Sequence, residues 1–167
     1  MLKSKLPHIG TTIFTRMSTL ALEHKALNLS QGFPDFDAPE ALLEAMTRHV
    51  RAGHNQYAPM AGVIHLREQI ANQILRHRGI NCDPDSEITV VPGATEGIFC
   101  AVNACIRPGD EVIVFDPCYD SYGPAIELAG GKAVHVPLNA HSFSVNWERV
   151  SAAITPRTRL IMINSPH

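Results

Sequence analysis

A chain of 167 residues with a 45% apolar fraction is long enough and apolar enough to fill the core of one domain. A net charge of -2 and a pI near 6.5 leave no electrostatic footprint for nucleic acid or an anionic membrane. No apolar run approaches the ~18 residues that span a bilayer, and MLKSKLPHIGTTIF has neither the apolar core nor the cleavage site of a secretory signal, so a cytoplasmic protein is expected.

Residues 1 to 38 show little periodicity and several turn formers, GFPDFDAP among them, and read as an extended arm. Pro39 opens a helical pattern in which Leu42, Leu43, Met46 and Val50 recur at three- and four-residue steps before Gly53. A second helix fits 61 to 78. Its apolar stripe, Val63, Leu66, Ile70 and Ile74, is expected to pack into the core, with Arg67, Glu68, Gln73 and Arg76 on the wet side.

After Asn81 the pattern changes to short apolar runs alternating with helical ones. Strands are expected at Ile88 to Val91, Val112 to Phe115, Ala133 to Leu138 and Leu160 to Ile163. Between them, 94 to 106 reads as a buried helix ending at Pro108-Gly109, followed by helices at Ser121 to Leu128 and Trp147 to Ile154. Strands apolar on both faces and alternating with helices specify an α/β fold, a mostly parallel sheet with helices on both faces. The strand ends then share one edge, where open α/β sheets bind ligands. Gly93 to Thr95, Asp116 to Tyr119 and Asn164 to His167 gather there. The last strand lacks a following helix, so a fragment of a longer protein is expected.

In VVPGATEGIF, Gly93 permits a tight turn, and the N–H groups of Ala94 and Thr95 open a helix with the positive end of its dipole outward. A phosphate monoester suits this turn; Thr95 merely capping its helix is the other reading. The stretch lacks G-x-G-x-x-G and the P-loop lysine, so a dinucleotide or ATP fits poorly. In FDPCYDSYGP, Tyr119 lies just past a strand end, where it is either a rim aromatic or a platform for a planar ring. The two together point to a phosphorylated aromatic cofactor.

Cys82, Cys100, Cys105 and Cys118 form no C-x-x-C pair and read as reduced thiols; the nine histidines show no ligand spacing, so no metal site is expected.

Five stretches, SKLPHIGTTIF, NLSQGFPDFDAP, NQYAPMAGVIHLRE, the PGATE turn and GDEVIVFDPCYDSYGPAI, occur in order, and INSPH closes the chain. With these motifs the whole chain resembles the N-terminal part of a fold-type I, pyridoxal-phosphate-dependent aminotransferase of class I/II, in the branch holding the methionine and kynurenine–glutamine enzymes. The resemblance implies a three-layer large domain over 39–167, truncated, preceded by an arm or small-domain segment over 1–38. It implies pyridoxal 5'-phosphate as cofactor, its phosphate on Gly93, Ala94 and Thr95 and its ring on Tyr119. It also implies that Tyr57 reaches the phosphate of a neighbouring subunit in a homodimer with shared sites. Gly32 would meet the substrate carboxylate through its backbone, and Phe14 would lie near the substrate. The implied reaction passes an amino group from a hydrophobic amino acid, methionine or an aromatic one, to a 2-oxo acid by a ping-pong route.

The family's Schiff-base lysine, the aspartate on the ring nitrogen, the asparagine on the ring hydroxyl and the arginine for the substrate carboxylate have no counterpart here. Lys3, Lys5, Lys25 and Lys132 stand outside any family lysine context. The missing groups are expected beyond His167, starting with Asn-Pro, and this chain alone is expected to be inactive. A C–S lyase of the same fold, a non-catalytic binding fragment and a doubly wound domain for a nucleotide or methyl donor are the rival expectations.

Overall fold

A computed structural model describes residues 3–32 and 34–166; Phe33 of the GFPDFDAP stretch and His167 of INSPH lie outside them. In chain order the described residues form α1 (Ile13–Glu23), α2 (Glu40–Arg51), α3 (Ile64–Arg78), α4 (Ala94–Cys105), β1 (Glu111–Asp116), α5 (Tyr122–Leu128), β2 (Lys132–Pro137), α6 (Trp147–Ala153) and β3 (Thr158–Met162). The chain divides into two compact units, Met1–Arg16 with Pro92–His167, and Met17–Val91.

In the first unit the three strands form a parallel sheet in the order β2-β1-β3. Five successive residues of β1, Glu111 to Phe115, are buried, which a strand achieves only with both sheet faces covered. Alternation along β1 sends Val112 and Val114 into one cluster with Val102 and Ile106 from α4 and its C-terminal end, and Tyr122, Ala125 and Ile126 of α5. Ile113 and Phe115 point the other way, into a cluster with Val136 and with Val150 of α6. Helices therefore cover both faces, giving the expected three layers. Each fully buried side chain here contributes roughly 1.5–3 kcal/mol of hydrophobic stabilisation.

The start of β1 is tied to the start of β3. Buried Glu111 accepts hydrogen bonds from Thr155 Oγ1 at 2.7 Å and from Arg157 Nη2 and Nε at 2.7 and 3.2 Å. The hydroxyl of Thr155 and the Arg157 guanidinium hold the Glu111 carboxyl below the ordinary glutamate range.

Several expectations need correction. The arm is not extended throughout, because α1 forms within it, its opening turn held by Thr15 N–H donating to Thr12 Oγ1 at 3.2 Å. Helix α4 is not a buried helix: only Val102 is buried, and Phe99 is exposed. In the second unit, α3 starts at Ile64 rather than 61, since Gly62 adopts φ +96°, outside the helical region. Its expected core stripe is only half-buried at Ile70 and Ile74 and exposed at Val63 and Leu66. Arg67, expected on the wet side, is the one buried residue of α3. Its guanidinium donates to the carbonyls of Gly62 at 3.1 Å and Pro84 at 2.6 Å and pairs with Asp85 at 3.3 Å. Ile88 to Val91 is not a ladder strand, because it has no strand partner among the described residues; Val90 N–H donates instead to Ala61 O at 3.0 Å.

Because the folded state favours the ionised Glu111 carboxylate more than the unfolded chain does, its contribution is full above the unfolded pKa and is lost as pH falls through the depressed folded value. Stability measured by urea unfolding is expected to fall below about pH 5, with a shallower fall in Glu111→Gln.

Candidate functional site

The polar residues at the opening of α4 are held by an unusual backbone. Gly93, the residue before the helix, has φ 100° and ψ 157°, a region essentially restricted to glycine. No atom lies within 4 Å of where its Cβ would stand, so the requirement comes from the backbone rather than from crowding. No side chain caps α4. Gly97 N–H turns back to Gly93 O at 3.2 Å. Among the described residues no acceptor meets the N–H groups of Ala94 and Thr95, so Thr95 is not the cap of its helix. The amides and the dipole of this twelve-residue helix are thus open to an anion.

Tyr119 follows the buried end of β1 in the same unit and is 45% exposed. Two aromatic rings pack against its ring. Phe14, on the first turn of α1, stands at a centroid distance of 6.1 Å and 38° tilt, and buried Tyr122 meets it edge-on at 5.9 Å. Tyr122 N–H also donates to Tyr119 O at 3.2 Å. A cavity opens beside this ring, lined among others by Phe115, Cys118, Leu138, Met162 and Asn164. Gly93, Ala94, Thr95 and the four lysines are not part of that lining. Burial, and then the Asp116 carboxylate, push the Cys118 thiol up, so it stays protonated at neutral pH and is no ready nucleophile.

Phe14 and Tyr119 are therefore brought together. Tyr57 and Gly32 belong to the second unit. Tyr57 has a fully exposed side chain, and Gly32 has no atom within 4 Å of a built Cβ. The loop carrying Tyr57 is braced at its far end: a Cβ on Gly62 would meet Val90 Cγ2 at 2.7 Å, and Arg67 holds the Gly62 carbonyl. Sequence reasoning missed this brace, because its acceptors are main-chain carbonyls with no residue-type signature.

The family model described as aminotransferase class I and II matches residues 24–167. The chain is 54% identical to the methionine aminotransferase of Escherichia coli K12 over 165 residues, covering 99% of this chain and 43% of that protein. The solved structure of an Escherichia coli protein identified as having a methionine aminotransferase function matches with a TM-score of 0.95 over 100% of this chain and 44% of that one. The N-succinyldiaminopimelate aminotransferase of Mycobacterium tuberculosis matches at 44% identity and a TM-score of 0.92, over 100% of this chain and 44% of that one. A Thermus thermophilus aspartate aminotransferase structure with maleate matches at 35% identity and a TM-score of 0.89, over 100% of this chain and 45% of that one. These solved structures share the parallel sheet flanked by helices. The chain spans less than half the length of the curated relatives it matches. No helix of the described residues is long and apolar enough to cross a membrane.

Two glycine substitutions separate backbone demand from space, since neither Gly93 nor Gly123 has an atom within 4 Å of a built Cβ. Gly93→Ala is expected to destabilise the fold by about 1–3 kcal/mol. Gly123→Ala, inside α5, is expected to stabilise by about 0.5–1 kcal/mol. The urea midpoints of the two variants check both.

Proposed function

Because this chain belongs to the class I and II aminotransferases, we propose that the full-length protein is a pyridoxal-phosphate-dependent aminotransferase. It moves an amino group from a hydrophobic amino acid, methionine or an aromatic one, to a 2-oxo acid in two half-reactions. The observation that carries this reading is the uncapped opening of α4, where the amides of Ala94 and Thr95 stand free behind a glycine-only turn. High identity to the Escherichia coli methionine aminotransferase supports the donor class. Residues 1–38 are assigned to the arm and small domain and 39–167 to the large domain. The protein works in the cytoplasm as a homodimer with shared sites.

The residues present fit the cofactor. Ala94 and Thr95 donate their N–H groups to the phosphate, Thr95 adds its hydroxyl, and Gly93 keeps the approach clear. The ring of Tyr119 offers its face to the pyridine, and Phe14 and Tyr122 keep that ring from turning away. Pyridoxal phosphate, when bound, supplies the electron sink that lets a substrate carbon lose its proton. Phe14, packed against the Tyr119 ring, presents an apolar surface suited to a hydrophobic substrate side chain. Gly32 meets the substrate carboxylate with its backbone. Tyr57, whose side chain is fully exposed, directs its hydroxyl to the phosphate held by the partner subunit. The proton-shuttling lysine, the ring-nitrogen aspartate and the carboxylate-binding arginine are assigned to the part of the relatives' length that this chain does not span.

Adding pyridoxal phosphate to the full-length protein is expected to give a new near-visible absorption band that borohydride abolishes; no band contradicts the reading. Tyr119→Ala is expected to weaken cofactor retention about tenfold, the equivalent of ~1.4 kcal/mol of stacking. Exchange dialysis checks this against Cys105→Ser, an exposed position on α4 where retention stays as in the wild type.

A further inference from the structure

Asp116 ends β1, and Cys118 follows it across Pro117. His135 lies in β2, in register with Val114, two residues before Asp116. Residues two apart on a strand share a face, so His135 and Asp116 are diagonal neighbours on one side of the sheet. The packing confirms the side: Val114 and Cys118 both meet the cluster formed with α4 and α5. There His135 Nδ1 stands 2.9 Å from Asp116 Oδ2 and 3.0 Å from Oδ1. With Cys118 Sγ, one ligand atom from each residue lies within 4.8 Å of the others.

We propose that Asp116, Cys118 and His135 form a binding site for a single zinc-class divalent cation, with water in the fourth position. Metal–ligand bonds of about 2.0–2.3 Å in a tetrahedral site set neighbouring ligand atoms ~3.3–3.8 Å apart. The Asp116 oxygen and His135 Nδ1 have to part by a few tenths of an ångström and the thiol has to approach by about 1 Å to reach that spacing, and side-chain rotation supplies both. The Asp116 side chain is 38% exposed and that of His135 is 51% exposed, so solvent reaches both and a water can enter. The donor set selects the metal. Thiolate sulfur and imidazole nitrogen favour zinc-class ions, whereas magnesium and calcium take oxygen ligands. Asp116 meets both the His135 ring and the Cys118 thiol without a metal, and the convergence of oxygen, nitrogen and sulfur on one point is the feature a metal would use. Binding releases the thiol proton to solvent and leaves the imidazole proton on Nε2, and loss of the thiol proton makes uptake weaker at low pH. None of the three residues is assigned to the cofactor, although Cys118 also lines the cavity beside Tyr119, so the zinc test does not depend on the aminotransferase reading.

The test is zinc titration of the reduced, chelator-treated full-length protein, followed by X-ray absorption at the zinc edge. The expected result is one zinc per chain with one sulfur neighbour at about 2.3 Å. Cys118→Ser and His135→Ala are each expected to lower the affinity at least ~10-fold. His65→Ala, which removes an exposed histidine–glutamate pair without a thiol, leaves it unchanged. Failure to take up zinc stoichiometrically, binding unchanged in either ligand variant, or an absorption spectrum without sulfur overturns the proposal. The wild-type spectrum decides independently of whether the variants fold.

Discussion

Strand β1 carries five consecutive residues out of water, and a strand can do this only when packed on both faces. Helices α4 and α5 supply one face and α6 the other, through two separate apolar clusters. That sandwich fixes where β1 ends, and hence where Asp116, Cys118 and Tyr119 emerge. Glu111 anchors the opposite end by its hydrogen bonds to Thr155 and Arg157. A displaced β1 would move Asp116, Cys118 and Tyr119 with it.

The chemistry that this frame presents has two components of different origin. One is backbone: a glycine-only turn leaves the first amides of α4 without acceptors, an arrangement stable in water and better satisfied by an anion. The other is aromatic: Phe14 and Tyr122 both pack against the Tyr119 ring. Phe14 is held there by α1, so the N-terminal segment contributes directly to the surroundings of Tyr119. In the second unit Arg67 fastens the loop that carries Tyr57, using main-chain carbonyls before and after α3.

Much of the sheet was legible in the sequence, because buried parallel strands read as continuous apolar runs bounded by Gly and Pro. Val112 to Phe115 and Leu160 to Ile163 became β1 and β3 within a few residues. Ile88 to Val91 has the same composition, yet a strand exists only with a ladder partner, which composition cannot reveal. Helix α1 was missed because Thr15, Ser18 and Thr19 have weak helix propensity and mask the helical spacing of Ile13, Met17, Leu20 and Ala21. Arg67 misled in the opposite direction: a charge on a helix is usually solvated, and its acceptors come from turns. The Gly93 turn was read correctly because glycine there has a backbone reason. The approach of His135 to Asp116 was invisible, since only the β1–β2 register brings them together.

In the proposed function, one phosphate rests on the amides opening α4 while its attached ring lies on Tyr119. A crystal structure of the full-length protein grown with pyridoxal phosphate is the decisive test. Phosphate oxygens are expected within hydrogen-bonding distance of the Ala94 and Thr95 N–H groups, with the pyridine stacked on the Tyr119 ring. A cofactor whose phosphate lies away from those amides, or whose ring faces another side chain, contradicts it.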